Sequence, residues 1–291
     1  MLRYLIAILI FAAGCRITSS GTMRMDPALE TLIPADTTFI AFANIDKIRE
    51  TAIYQKYADQ ADLLAMNDFV KHAGIDARKD LWQILLCSNG KATLLMARGK
   101  FSAGELEPKL EGLRRFGYKG FTLFGTEERA ILFVNSSTAV DGPTLSLRAL
   151  IDARDGPGRG LPAALKQQIE SIPPGSQIWA AAIGGLHGFD AGIPERVLQG
   201  IDGAAVGVDF SNGLAVAAHA QCRNEEDARS VHDGLRGMIG IARLGTTKGH
   251  PELLEVYDAI QVGRKQNQVL VTAQVSPRQV DEFVGQWLKR Q

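Results

Sequence analysis

Residues 204–220 read Ala-Ala-Val-Gly-Val-Asp-Phe-Ser-Asn-Gly-Leu-Ala-Val-Ala-Ala-His-Ala. Two strand-like runs, 204–210 and 214–220, flank Ser211-Asn212-Gly213. Asn-Gly between such runs is a strong hairpin signal, because both residues tolerate the positive φ of a type I′ turn. The same device occurs earlier, where Ser88-Asn89-Gly90 separates Ile84–Cys87 from Ala92–Met96. Self-similarity of this kind is a guide to organisation. Two further echoes keep the same order. Ile33-Pro34 precedes the apolar run Phe39–Ala43, and Ile172-Pro173 precedes Ile178–Ala182. A charged turn at Thr126–Arg129 separates Phe121–Phe124 from Ile131–Val134, as Arg264–Asn267 separates Ile260–Val262 from Val269–Val271.

Helical patterns fall between these hairpins. Ser102-Ala103-Gly104-Glu105 reads as a capping box, followed by Leu106, Leu110, Leu113 and Phe116 at helical spacing. Asn224 with Glu225-Glu226-Asp227 places a cap and acids at a positive helix end. Ala228, Val231, Leu235, Met238 and Ala242 continue that helix. Ser276-Pro277-Arg278-Gln279 starts the last one, with Val280, Phe283, Val284 and Trp287 as its stripe. An early helix is expected from about Arg49 to His72, with Ile53, Tyr57, Ala61 and Leu64 on one face, and a shorter one at Ile193–Gln199. Each half then reads strand, helix, hairpin, helix, hairpin, helix. The expectation is an α+β fold: a tandem duplication of ferredoxin-like units with mostly antiparallel sheets and helices on one face. The units are residues 34–156 and 157–291, joined in the turn-rich Asp155–Gly160.

The N-terminus carries a different message. After Arg3, Tyr4–Ala13 is an unbroken apolar run. It is about half of the ~20 residues that a membrane-spanning helix needs, and it reads as a signal-peptide core. Ala12-Ala13-Gly14-Cys15 resembles the lipobox of bacterial lipoproteins, with Ala12 where Leu is typical. The resemblance implies a signal peptide over residues 1–14, cleavage before Cys15, a diacylglycerol thioether on Cys15 and acylation of its new amino group. An ordinary secretory signal cut nearby and an uncleaved anchor are the alternatives. Each buried acyl CH₂ contributes ~0.8 kcal/mol, so two or three chains on one residue hold a protein durably. Arg16 follows the cysteine, with no acidic retention signal of the kind some lipoprotein sorting systems use, which favours the outer membrane. Residues 15–33, rich in Ser, Thr and Gly at their start, are expected to form a flexible tether. The mature region loosely resembles exported bacterial proteins with a strand, a Gly-Pro turn and a helix near the midpoint, here Ala139–Pro143 leading into Leu145–Ala153.

The residues offer little chemistry. Thirty-two basic and 32 acidic residues balance, which argues against capture of nucleic acid by bulk charge. Three cysteines cannot build a disulfide framework or a four-thiolate zinc site. None of His72, His187, His219, His232 and His250 has the spacing of a zinc motif. His187, in Gly184–Gly188, is the most interesting of the five. No G-x-S-x-G elbow exists. Gly156–Gly160 lacks the ending of a P-loop, and Pro157 removes an N–H that a phosphate cradle needs. Cys87 and Cys222 read as small buried hydrophobes, with a disulfide between the halves as the sharper alternative. Asp76, Asp80 and Asp141 are turn or cap residues, and Tyr54 and Tyr57 belong to a helix face.

The expected function is therefore a cell-envelope lipoprotein that binds or scaffolds without catalysis. No catalytic residue, metal ligand or cofactor is implied. The expected partners are the membrane, through lipid on Cys15, and another envelope protein. The alternatives are a lipid-anchored enzyme such as a hydrolase, and a small-ligand carrier or sensor with a pocket between the halves.

Overall fold

Both Asn-Gly segments turn where the sequence places them, but not as type I′ turns: in each pair the glycine alone has positive φ, and four residues link the paired strands. In the computed structural model, which describes residues 25–57, 79–101, 113–153, 160–185, 193–246 and 251–288, Gly90 has φ 81° and Gly213 has φ 85°. The Asn89 side chain accepts the N–H groups of Lys91 and Ala92 at 3.0 and 2.9 Å and so fixes the first turn. The two turns close the hairpins β2 (Leu81–Ser88) with β3 (Thr93–Gly99) and β9 (Ile201–Asp209) with β10 (Leu214–Cys222).

Eight further strands complete the sheet. In chain order they are β1 (Phe39–Asn44), β4 (Arg114–Tyr118), β5 (Phe121–Gly125), β6 (Arg129–Asn135), β7 (Thr138–Pro143), β8 (Ile178–Ile183), β11 (Ile260–Lys265) and β12 (Gln268–Val275). All twelve lie in one antiparallel sheet, ordered β11-β12-β10-β9-β8-β1-β2-β3-β7-β6-β5-β4. The fold is therefore α+β, and the halves share the sheet through the β1–β8 pair. From that pair the order runs β1-β2-β3-β7-β6 one way and β8-β9-β10-β12-β11 the other, with the β4–β5 hairpin added beyond β6. Only one of the second half's two helical connections is of the split β-α-β type: β10 leads to β11 with β12 between them. The connection from β8 to β9 joins hydrogen-bonded neighbours.

The described helices are α1 (Pro27–Glu30), α2 (Ile45–Arg49), α3 (Ala52–Tyr57), α4 (Thr144–Asp152), α5 (Ala163–Glu170), α6 (Glu195–Leu198), α7 (Glu225–Gly245), α8 (Pro251–Ala259) and α9 (Pro277–Leu288). They cover both faces of the sheet, which corrects the one-face expectation. Alternation along the strands is the reason. Ala181 and Ala205 join a core with Ile40, Phe42, Leu85, Met96 and Trp179, packed under α1, α4 and α5 through Leu29, Leu147, Leu165 and Ile169. The next residue in β9, Ala204, faces the other way, into a second cluster with Leu198, Ile201, Cys222 and Val231. The α5 segment lies so close to β9 that a Cβ on Gly207 would stand 2.7 Å from Ile172 Cγ2.

Several local expectations change. Part of the tether is structured: the Asp26 side chain accepts the Ala28 N–H at 2.8 Å, Pro27 occupies the first helical turn, and Leu29 and Ile33 are fully buried. Leu29, Leu32 and Ile33 recur at helical spacing and find a sheet to cover. Phe116, expected on a helix, lies in β4, because the left-handed pair Lys119 (φ 44°) and Gly120 (φ 83°) turns 114–118 back onto 121–125. The capping-box region 102–112 lies outside the described residues. The early helix is interrupted at Glu50-Thr51, where Thr51 Oγ1 accepts the Tyr54 N–H and starts α3; residues 58–78 lie outside the described set. On α9, Val280 is buried and Phe283 is 42% exposed. The caps of α7 and α9 form as expected: Asn224 accepts the Asp227 N–H at 2.9 Å, and Ser276 and Gln279 exchange reciprocal bonds.

Candidate functional site: an alanine-floored trough

Register brings a row of small residues together on the α7 face. Phe39 stands opposite Ala182, Ala182 opposite Ala204, Ala204 opposite Ala220, and Ala220 opposite Val269. The neighbouring row runs Ala41, Ala180, Val206, Ala218, Val271. A sheet face under helices ordinarily carries branched side chains that interlock with the helices and leave few voids. Here alanine ends at Cβ on three successive strands. The gap that results, between the sheet, α6 and α7, is a pocket of about 390 Å³. Ile193, Val197, Leu198, Val231 and Leu235 form its walls and roof.

Its chemistry is almost wholly apolar. Among the described residues that line it, His219 alone has a polar side chain. It pairs with Ala205, so alternation directs its imidazole to the opposite face and only its backbone borders the trough. There Nδ1 is buried with no hydrogen-bond partner among the described residues. Among the described residues, the trough thus receives no acid, base or nucleophile. It can desolvate an apolar group at ~25 cal/mol per Å² of area removed from water.

The other residues singled out from sequence do not converge. Cys15, His72, Asp76, His187 and His250 lie outside the described residues. His232 sits on α7 with Nδ1 2.7 Å from Asp233 Oδ1. Cys87 and Cys222 are free, which corrects the disulfide alternative: they belong to the clusters on opposite faces of the sheet. Burial pushes the Cys87 thiol up to about 12. Burial, with Asp227 and Asp202 nearby, pushes Cys222 up to about 11. Asp141 is buried against the Arg129 guanidinium. Tyr57 donates its hydroxyl to Asp281 at 3.0 Å, tying α3 to α9.

A second depression, of about 330 Å³, lies between α4 and the β2–β3 turn, with Asp36, Asn89 and Ser146 at its rim. Asn89 donates to Asp36 at 2.6 Å, so these two rim groups are engaged with each other. Among the described residues no group of three or more His, Cys, Asp or Glu could hold a metal ion. Among them, too, no helix is long and apolar enough to cross a membrane. The trough was not visible in the sequence. Its alanines were, but only the cross-strand register puts them in one row. It also lies beneath the second half, with Phe39 as the first half's contribution at one end, rather than midway between the two.

No protein-family model matches the chain, and no curated protein matches it in sequence. Solved structures of TP0453 do match in fold. Crystal forms I, III and IV share 9%, 10% and 9% identity with this chain, at TM-scores of 0.51, 0.53 and 0.51. The alignments cover 90% of this chain and 98%, 99% and 97% of those chains. Over nearly the whole of both chains, the architecture described above is similar to that of TP0453.

Proposed function

We propose that this protein is a cell-envelope lipoprotein, anchored through Cys15, whose folded body binds an apolar ligand without transforming it. The observation that carries the binding role is the trough: about 390 Å³ of space floored by Ala182, Ala204 and Ala220, with no reactive side chain of the described residues directed into it. Sites for small molecules are concave, mostly apolar and within this size range. The anchor rests on the lipobox-like Ala12–Cys15, and the envelope location follows from the anchor.

The same reading takes the sheet as a tandem duplication. Ala41 and Ala180 stand equally far after Ile33-Pro34 and Ile172-Pro173, and they pair with each other in the β1–β8 ladder. A twofold relation between two copies would place its axis there. Such an axis matches β11–β12 with β6–β7, one hairpin later than the β5–β6 turn that the sequence echo suggested. The ferredoxin-like character of each copy then rests on its second crossover.

Two measurements test the function. Cys15→Ala should move the protein to the soluble fraction and abolish incorporation of labelled fatty acid. Retention of that variant in the membrane, with no label in the wild type, refutes the anchor. The purified protein should raise the fluorescence of diphenylhexatriene saturably. Absence of saturable binding refutes the ligand role. A scaffolding role has one observation in its favour: Ile241 and Leu244, at the end of α7, are 72% and 75% exposed. Crosslinking from position 241 in intact cells would identify such a neighbour.

A further inference from the structure

We propose that the depression beside α4 binds an organic ammonium ion with an apolar body, and that Asp36 recognises its charge. The site is separate from the trough, since Cys87 and Leu94 in its wall belong to the core cluster on the other face of the sheet. Its volume of about 330 Å³ falls in the range of small-molecule sites. Most of the wall is apolar, built from Ile33, Pro34, Leu94, Leu150 and several alanines. Burial pushes the Cys87 thiol in that wall up to about 12, so it stays uncharged at neutral pH.

Asp36 is the one acidic or basic side chain among the described lining residues. Its carboxylate is held in place. Asn89 Oδ1 accepts the N–H groups of Lys91 and Ala92, which directs Nδ2 to Asp36 Oδ2 at 2.6 Å. Two other donors of the wall point at the protein itself. The Thr37 hydroxyl donates to the Pro34 carbonyl at 2.7 Å, and the Ser88 hydroxyl to the Ala92 carbonyl at 3.1 Å. Asp36 Oδ1 and Ser146 Oγ have no hydrogen-bond partner among the described residues. The polar capacity left for a ligand is therefore mainly that of an acceptor, and a negative one. An alkylammonium supplies N–H donors and the opposite charge. A ligand carboxylate would be repelled by Asp36, and a neutral alcohol would forgo the attraction. The apolar body leaves water against Ile33, Leu94 and Leu150.

The test is calorimetric titration of the purified protein with three probes that share one body and differ in the head: 4-phenylbutylamine, 4-phenylbutanol and 4-phenylbutyrate. The amine should bind about two- to fivefold more tightly than the alcohol, as an exposed ion pair allows, and the acid more weakly than either. Asp36→Asn keeps the shape of the rim and should bring the amine to the level of the alcohol. Ala149→Leu, at an exposed position of α4, should weaken amine and alcohol alike by filling the depression, without touching the trough. Should Asp36→Asn fold poorly, Ala149→Leu still tests the place. Equal binding of the three heads overturns the ammonium class. An amine preference that survives Asp36→Asn overturns the role of Asp36. Binding unchanged by Ala149→Leu overturns the site. No binding of the amine overturns the proposal as a whole and leaves the reading of the trough standing.

Discussion

Phe42 of β1 and Trp179 of β8 are direct partners across the strand pair that joins the two halves, and their rings stack with centroids 5.2 Å apart. The ladder continues beyond the strands, with Asn44 N–H on the Gln177 carbonyl at 2.8 Å and Ile183 N–H on Thr38 at 2.9 Å. The joint is thus continuous sheet with an aromatic pair on its core face. Its neighbours there, Ile40 and Leu85, are fully buried.

Trp179 should consequently carry the joint. Trp179→Ala removes a side chain that is 1% exposed and should cost ~3–5 kcal/mol, the usual range for such truncations. Urea unfolding followed by circular dichroism reads this as a lower midpoint. A loss under about 1 kcal/mol would mean that the core collapses around the gap and that the stack is dispensable.

Glycines in this chain should respond in opposite directions. A Cβ on Gly237 or Gly240 of α7 would meet nothing within 4 Å, so alanine there should stabilise by up to ~1 kcal/mol through helix propensity. Gly213 has φ 85°, and its Cβ would lie 2.2 Å from the Val275 carbonyl oxygen. Gly213→Ala should therefore destabilise the β9–β10 hairpin. Thermal melts of the three variants check the signs, and a stabilised Gly213→Ala would contradict the turn geometry.

Asp209 should contribute to the acid limb of stability. Desolvation pushes its carboxyl up, but the Ser211 hydroxyl and N–H, the Gln177 amide and the Lys47 charge outweigh that and hold it below the ordinary value. The Gln177 and Ser211 N–H bonds measure 2.9 and 2.8 Å. A depressed folded value stabilises the protein above the unfolded carboxylate pKa of ~3.9 and loses that contribution as pH falls through the folded value. Asp209→Asn should lower stability near neutral pH and converge with the wild type as pH falls through the depressed folded value. Parallel curves across that window would assign the loss to packing instead.

Both described thiols should be silent in the folded state. Cys87 and Cys222 are buried, with values pushed up to about 12 and about 11, so little thiolate forms at mildly alkaline pH. Mass spectrometry after brief iodoacetamide treatment should find them unmodified, and modified once urea unfolds the chain. Rapid native labelling of Cys87 would mean that the depression beside α4 opens to reagent.

The sequence revealed the hairpins better than it revealed their neighbours. Asn89-Gly90 and Asn212-Gly213 state their turns in local chemistry, and the caps at Asn224 and Ser276 do the same for their helices. Phe116 misled because Leu106, Leu110, Leu113 and Phe116 are spaced as on a helix, while the turn that claims Phe116 for β4 depends on Lys119 accepting a left-handed backbone. Leu29 and Ile33 looked like tether because nothing nearby in sequence shows what they cover. Their partners lie on strands far along the chain. The trough was hidden for a related reason. Parity assigns a face within one strand, but which alanine meets which depends on the register of five strands at once.

A twelve-strand sheet ordered from β11 to β4 has two rims, and each rim carries cationic residues: Arg264 and Lys265 on one, Arg114 and Arg115 on the other. Rim strands invite stray chains to add themselves, and positive side chains discourage the addition by repulsion between copies. At high local concentration, that repulsion would keep neighbouring copies from zipping into fibres.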